Sequence, residues 1–443
     1  MNHTTIPHQR LRGEIVVAPD KSISHRSLIL GAIAQGESHI KNLLLGEDVL
    51  RTLTIINQLG IKTSHDATTI TQGDELTIFG NGLSGLQKPN DDLYCGNSGT
   101  TMRLMLGLLS GQSFSATLTG DESLDQRPMD RVLEPLRQMG AAFEVEHRDG
   151  KRFIKTLPRP DAVVPFLKGL EYVMPVASAQ VKTGIALAGL YAAGEVIIKE
   201  PFPSRNHTEL MMKSMRVRIK AKDREVCLNQ VGKLKPLNLI IPGDLSSAAF
   251  FIAAALLAQD ADLIINHVNL NPTRAGFLDV LKFMGAKITT GVVDTVQGEA
   301  VGWVRAQSSR LKNISIGGNL VPRLIDELPV LALVAACSEG KMLVKDAGEL
   351  RVKETDRIRA ICSQLPKLGV NIEEREDGFL IQGNPAGIRV VDQMTLNTFG
   401  DHRLAMMEAV AGLVADKSFV IDDVKNVDTS FPGFFNLLDK IRG

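Results

Sequence analysis

The sequence predicts an α/β protein built as two similar globular domains, each of three repeat units arranged around buried helices. Three observations carry this expectation. The chain has 443 residues, more than one hydrophobic core usually supports. An amphipathic helix that runs into glycine and then a β-prone stretch recurs along it. Other helices are apolar nearly all round, a pattern that buries a helix on every side, here inside a ring of sheets.

The recurring element reads RTLTIINQLGIK at Arg51–Lys62, RVLEPLRQMGAAF at Arg131–Phe143 and GFLDVLKFMGAKI at Gly276–Ile288. It returns over Arg357–Ile372, where the run ends LGVNI. Weaker copies lie at Thr208–Ile219, where Arg216 replaces the glycine, and at Gly433–Ile441. The copies are spaced roughly 70 to 85 residues apart, too long for common solenoid repeats, so each unit should hold several strands and two helices. A single LxxLG ending would be an ordinary helix C-cap; six in order point to a repeat. The all-apolar helices are Ser246–Ala258 and Val330–Cys337.

Pro19-Asp20-Lys21 and Ile241-Pro242-Gly243-Asp244 punctuate the chain between apolar runs and are the expected crossings between the halves. One domain then covers 21–241, and the other is discontinuous, 1–20 together with 242–443.

Composition narrows the function classes. Apolar residues make up 44% and charged residues 23%, which leaves little room for extensive disorder. Lys plus Arg and Asp plus Glu both number 50, so no overall positive field gathers nucleic acid or anionic lipid. The four cysteines, Cys95, Cys227, Cys337 and Cys362, form no CxxC pair and have no histidine at zinc-ligand spacing, which fits a reducing cytoplasm without a structural metal. Met1–Arg12 is polar and has neither a signal-peptide core nor the Arg/Ser-rich character of a plastid transit peptide, and no later run is long and uncharged enough to span a bilayer.

Several helix starts share an unusual feature: a Gly, Ser or Asp turn leads into a first turn carrying Lys or Arg, where the helix dipole prefers acidic residues. The segments are DKSISHR (Asp20–Arg26), GNSGTTMR (Gly96–Arg103), RPMDR (Arg127–Arg131), SAQVK (Ser178–Lys182), KETDR (Lys353–Arg357) and GDHR (Gly400–Arg403). Backbone N–H groups at such starts bind phosphate and carboxylate, and an arginine fork adds bidentate contacts. Converging, these segments would hold a multiply anionic ligand. Singly, each is better explained by a solvated ion pair.

Taken in order, DKSISHR, GNSGTTMRL, RPMDRVLEPLRQMG, SAQVKTGIALAGL, IPGDLSSAAFF, ELRVKETDRI and GDHRLAMMEA closely resemble the motif series of the EPSP synthase family, from Pro19 to TSFPGFF near Phe435. The resemblance implies the enolpyruvyl transferase fold, an inside-out α/β barrel arrangement of three βαβαββ-type units per domain, with the active site in the cleft between domains that close on ligand. It also implies the reaction. The 5-hydroxyl of shikimate 3-phosphate adds to carbon 2 of phosphoenolpyruvate, and the tetrahedral intermediate then loses phosphate. No cofactor or metal is implied, because Arg and Lys supply the positive charge. The implied partners are the two small-molecule substrates, with no nucleic acid or membrane, and the expected state is a cytoplasmic monomer.

By matching motif, shikimate 3-phosphate falls to Lys21, Ser22, Arg26, Ser178, Ala179, Gln180, Arg205, Asp326 and Lys353. Phosphoenolpyruvate falls to Lys21, Gly99, Arg127, Gln180, Arg357 and Arg403. Lys21, Asp326 and Glu354 form the implied catalytic set, with Glu354 transferring protons at carbon and Asp326 contacting the 5-hydroxyl. His25 and His402 are left out, since a turn histidine is more often structural. The resemblance also implies inhibition by glyphosate in the phosphoenolpyruvate pocket, with Gly99 leaving room for it.

The chain departs from the family pattern at three places. Ala179 stands where many members have a second Ser, Thr429-Ser430 where some have Lys, and Glu349 where part of the family has Asn. The related UDP-N-acetylglucosamine 1-carboxyvinyltransferases carry a Cys in the loop before their RPVD-like motif, whereas Asp121–Gln126 here contains none. A non-catalytic anion-binding protein of the same fold would have been favoured by loss of Lys21, Asp326 or Glu354, and all three are present.

Overall fold

The computed structural model describes residues 1–8, 10–158, 167–390 and 394–442. Its chain divides into two compact units, the first formed by 1–18, 242–295 and 300–443, and the second by 19–241 and 296–299. Among the described residues each unit holds three small sheets.

One repeat shows how the sequence makes them. The strand Leu93–Tyr94 leads into the helix Gly99–Leu109, then the strand Ala116–Thr119, the helix Asp130–Gln138 and the hairpin Ala142–Arg148 with Lys151–Leu157. The first two strands pair in parallel, Leu93 opposite Leu118, and the hairpin adds antiparallel, Leu118 opposite Ile154. Leu93, Leu118 and Ile154 are fully buried, a row across the sheet that fixes its register, because a one-residue slip would turn every one of them outward. The same parallel-then-antiparallel order recurs in the second unit, as in Leu239–Ile40–Leu76, and in the first unit, as in Ile15–Ile265–Val304.

Two repeats take their first strand out of turn. Arg10–Val16 lies parallel to Asp260–Asn269 in the first unit, yet in sequence it precedes the helix Lys21–Ala32 of the second. Asn238–Ile240 lies parallel to Gln35–Lys41 in the second unit, yet it precedes the helix Leu245–Leu257 of the first. Each unit is thus closed by a strand from the far side of a chain crossing.

The first helix of every repeat is the buried one. Lys21–Ala32, Gly99–Leu109 and Ala179–Gly189 belong to the second unit, and Leu245–Leu257, Leu328–Ala336 and His402–Val414 to the first. Leu245–Leu257 and Leu328–Ala336 begin one or two residues earlier than the apolar runs predict. The last three helices pack on one another, and Gly99–Leu109 packs on Ala179–Gly189. That contact is close because a Cβ at Gly107 would stand 2.1 Å from the Gly184 carbonyl oxygen.

The second helices are the recurring LxxLG elements. Five of them end alike: a left-handed residue closes the run, its N–H bonds back three residues and the next N–H bonds back five. Glycine fills that position at Gly60, Gly140, Gly285 and Gly369, while Arg216 adopts φ +66° in the same place. No helix among the described residues is long and apolar enough to cross a membrane.

Candidate active site

The buried helices bring the motif residues to their N-termini, where a side-chain cap replaces the missing intrahelical acceptor. Asp20 accepts from the Ile23 N–H at 2.9 Å, Ser98 from Thr101 at 3.1 Å, Ser178 from Val181 at 3.4 Å and Asp401 from Arg403 at 2.8 Å. None of these four helices has an acidic residue in its first turn, and the two capped by Ser98 and Ser178 have a neutral cap as well, so no carboxylate of the cap or first turn offsets their dipoles.

In the second unit Lys21 is paired with Asp48, a residue outside the recognised motifs. Arg26, on the next turn, is 3% exposed, and donates to Thr208 Oγ1 at 2.7 Å, Thr183 Oγ1 at 2.9 Å and the Ser22 carbonyl at 3.0 Å. Burial lowers its pKa to about 10, with Arg205 adding to the effect and Glu209, Asp20 and Glu299 opposing it. The group therefore remains a cation at neutral pH.

Gly99 starts the helix that carries Arg103. Arg103 donates to Gln180 Oε1 and to the Pro128 carbonyl, and Gln180 Nε2 donates to Thr100 Oγ1 at 2.8 Å, which ties the Gly99 and Ala179 helix starts together. Arg127 is held by both oxygens of Asn97 and by Ser123 Oγ. A Cβ at residue 99 would lie 2.9 Å from Arg103 Nη1 and 3.3 Å from Arg127 Nη1. Glycine here makes room for two guanidinium groups at a helix N-terminus.

Lys182, although on a motif, has a different task. Its ammonium group is buried and pairs with Glu200 at 2.8 Å and Glu209 at 2.7 Å. Burial alone would lower its pKa, but the two carboxylates outweigh that and raise it. His25 is buried with Nδ1 2.8 Å from Thr52 Oγ1, and burial, reinforced by the charges of Lys21 and Arg26, holds its pKa well below the usual value. It is neutral at physiological pH and unsuited to serve as an acid, as the sequence reading expected of a turn histidine.

The first unit carries a second cluster of a different character. Arg357 is 1% exposed and meets three carboxylates: Asp401 through Nε at 2.7 Å, Glu354 through Nη2 at 2.7 Å and Asp326 through Nη1 at 3.3 Å. Burial would weaken its hold on the proton, and the carboxylates, Asp401 foremost, reverse that and raise its pKa. Lys353 reaches Asp326 at 3.4 Å, and Arg403 donates to the Asp326 carbonyl at 3.1 Å. Of the three carboxylate side chains Glu354 is the most accessible, at 21%, against 12% for Asp326 and none for Asp401.

Each unit therefore gathers its own share of the sequence-predicted residues. Lys21, Ser22, Arg26, Gly99, Arg127, Ser178, Ala179, Gln180 and Arg205 lie in the second unit, and Asp326, Lys353, Glu354, Arg357 and Arg403 in the first. The site reading missed Asp48, Arg103, Thr183, Thr208 and Asp401. Arg103, Thr183 and Asp401 stand inside quoted motifs and Thr208 opens a weak repeat copy, so their types and places are visible in the sequence but not their partners; Asp48 has no signal without the three-dimensional register.

Comparison with known proteins decides what this arrangement belongs to. The sequence profile of EPSP synthase (3-phosphoshikimate 1-carboxyvinyltransferase) matches residues 6–438. The chain belongs to the EPSP synthase family. A 3-phosphoshikimate 1-carboxyvinyltransferase of Thermodesulfovibrio yellowstonii is 45% identical over 446 residues, covering 100% of both chains. One of Geotalea daltonii is 46% identical over 440 residues, covering 99% of each. Among solved structures, EPSP synthase of Acinetobacter baumannii superposes with a TM-score of 0.85 at 38% identity, over 99% of this chain and 98% of that one. The repeats around buried helices are thus the enolpyruvyl transferase fold of this family, and the basic helix starts lie on its motifs.

Proposed function

We propose that the two clusters act on one pair of substrates, shikimate 3-phosphate and phosphoenolpyruvate, in the 1-carboxyvinyl transfer for which the family is named. The activity itself follows from family membership along nearly the whole chain. The residue assignments rest chiefly on one observation: the buried Arg26 of the second unit is held by hydroxyl and carbonyl oxygens, whereas the buried Arg357 of the first unit is held by three carboxylates.

Cations oriented by neutral groups keep their charge for a ligand. Arg26, Arg205, Ser22, Ser178, Ala179 and Gln180 take the phosphorylated cyclohexene, and Arg127, Gly99 and Gln180 take phosphoenolpyruvate, with Lys21 serving both. Arg357 and Arg403 add charge from the first unit. The carboxylate cluster suits proton transfer. In the addition, the 5-oxygen bonds to carbon 2 of phosphoenolpyruvate as its proton leaves toward Asp326, while carbon 3 takes a proton from Glu354 and becomes a methyl group. In the elimination the bond from carbon 2 to the phosphate oxygen breaks, inorganic phosphate departs with the bonding pair and carries off the proton that Asp326 had taken from the 5-hydroxyl, and Glu354 recovers a proton from the methyl group. Accessibility supports Glu354 in this exchange, since a group that gives and retakes a proton must reach the substrate.

Thiol chemistry has no place in the scheme. Burial foremost raises the pKa of all four cysteines, to about 11 for Cys227 and about 12 for Cys337 and Cys362, and higher still for Cys95. The deciding experiment measures inorganic phosphate released from phosphoenolpyruvate with and without shikimate 3-phosphate. Release only when both are supplied is expected; release with UDP-N-acetylglucosamine as acceptor, or none with either, overturns the reading.

A further inference from the structure

We propose that Thr208, together with Thr183, is a positioning residue that orients the Arg26 guanidinium toward an anionic group of shikimate 3-phosphate; this rests on the assignment of Arg26 to that substrate. Arg26 is buried, and among the described residues it has no carboxylate within ion-pair distance. Its orientation comes from two threonines on different helices. Nε donates to Thr208 Oγ1 at 2.7 Å, Nη2 donates to Thr183 Oγ1 at 2.9 Å, and the two hydroxyls are 2.6 Å apart.

The proton directions are determined. Thr183 has one O–H, and it donates to the Ala179 carbonyl at 2.7 Å. Thr208 must therefore donate to Thr183, which leaves an acceptor lone pair on each hydroxyl for Arg26. The Nε and Nη2 edge of the guanidinium is pinned by a hydrogen-bonded pair, and Nη1 uses one N–H on the Ser22 carbonyl. Three of about five donors are then engaged, and one N–H remains on each terminal nitrogen. That pair can take two oxygens of a single carboxylate or phosphate.

A carboxylate on the pinned edge would orient the group equally well but would cancel its charge. The neighbouring residues keep carboxylates off it. His207, just before Thr208, binds Glu299 at 2.6 Å, and Glu209, just after it, is bound by Lys182 at 2.7 Å. Three successive residues at the start of the His207–Ser214 helix thus fix the arginine and restrain two acids.

The test measures shikimate 3-phosphate affinity and steady-state constants for Thr208→Val, Thr208→Ser, Arg26→Lys and the Thr208→Val/Arg26→Lys double variant. Thr208→Val should weaken shikimate 3-phosphate by about tenfold or more, the range for losing a hydrogen bond to a charged group. The KM for phosphoenolpyruvate should stay within about twofold. Thr208→Ser should restore most of the affinity, and in the Arg26→Lys background Thr208→Val should cost nothing further. Native affinity in Thr208→Val beside a weakened Arg26→Lys overturns the proposal and leaves the Arg26 assignment standing. Native affinity in Arg26→Lys removes the assignment and the proposal with it. Thr183→Val supplies the same comparison should Thr208→Val fail to fold.

Discussion

Glu354 accepts a hydrogen bond from Arg357 Nη2 at 2.7 Å, and Asp401 accepts one from Arg357 Nε at the same distance, yet the two acids differ in kind. Asp401 is inaccessible and also caps the His402–Val414 helix. Glu354 reaches solvent. Their variants should separate accordingly. Glu354→Gln should fold and bind substrates but lose about two orders of magnitude or more in kcat, as expected for a general acid and base. Asp401→Asn should appear first in denaturant unfolding, as a loss of about 2 kcal/mol or more, since a buried pair broken on one side leaves a charge less compensated. Near-native turnover in folded Glu354→Gln would remove that residue from proton transfer.

Glu408 gives a pH dependence of stability. It lies on the same buried helix, neither carboxyl oxygen has a hydrogen-bond partner among the described residues, and burial, with Asp422 and Asp401 adding to it and Lys367 opposing, raises its pKa to about 8. The native state therefore keeps this proton at pH values where the unfolded chain, near 4.5, has lost it. Native stability from this group is fully present below the unfolded value and falls as pH rises toward 8, at up to about 1.4 kcal/mol per pH unit. Glu408→Gln should abolish that slope. Urea unfolding of both forms at pH 5.5 and 7.5 checks it: the variant should gain on the native protein by about 2 kcal/mol between the two, and a constant difference would contradict the assignment.

Arg216 occupies a left-handed position that its four counterparts fill with glycine, and it is exposed. A side chain there costs roughly 1–2 kcal/mol, partly offset by the greater freedom of glycine in the unfolded chain. Arg216→Gly should stabilise the protein by about 0.5–1 kcal/mol in urea titration without changing KM for either substrate. Destabilisation would mean that the guanidinium makes a contact worth more than the strain.

This position also shows what the sequence made legible. Five of the six copies read in order end in the same helix stop, and Arg216 stands where the weak copy predicted a glycine-like turn, because a helix terminus is encoded within a few residues of itself. The exchanged strands Arg10–Val16 and Asn238–Ile240 were not legible: their partners lie some 200 residues or more away, and a short apolar strand names no partner. The site divided along the same line. Lys21, Gly99, Arg127, Glu354 and Arg403 carry motif signals of their own. Thr208, Thr183 and Asp48 are ordinary residues whose meaning comes only from the guanidinium or ammonium group that the fold places beside them.

Gly99 joins local and long-range effects. The sequence reading gave its missing side chain to the ligand, so that an alanine methyl would intrude on glyphosate. The geometry adds a nearer obstacle: that methyl would press on the Nη1 atoms of Arg103 and Arg127, at 2.9 and 3.3 Å. Neither can simply swing away, since Arg103 is tied to Gln180 and Pro128 and Arg127 to Asn97. Gly99→Ala should therefore shift both cations by a few tenths of an ångström and weaken every anion they hold. Phosphoenolpyruvate should lose affinity, and the longer glyphosate, needing the same charges and also the space, should lose about tenfold more, within the usual cost of overpacking a tight site. The measurement compares the glyphosate inhibition constant with the phosphoenolpyruvate KM in both forms. Equal changes would show that the guanidinium displacement governs both ligands and that the methyl contributes no steric discrimination of its own, whereas unchanged constants would mean that Arg103 and Arg127 touch neither.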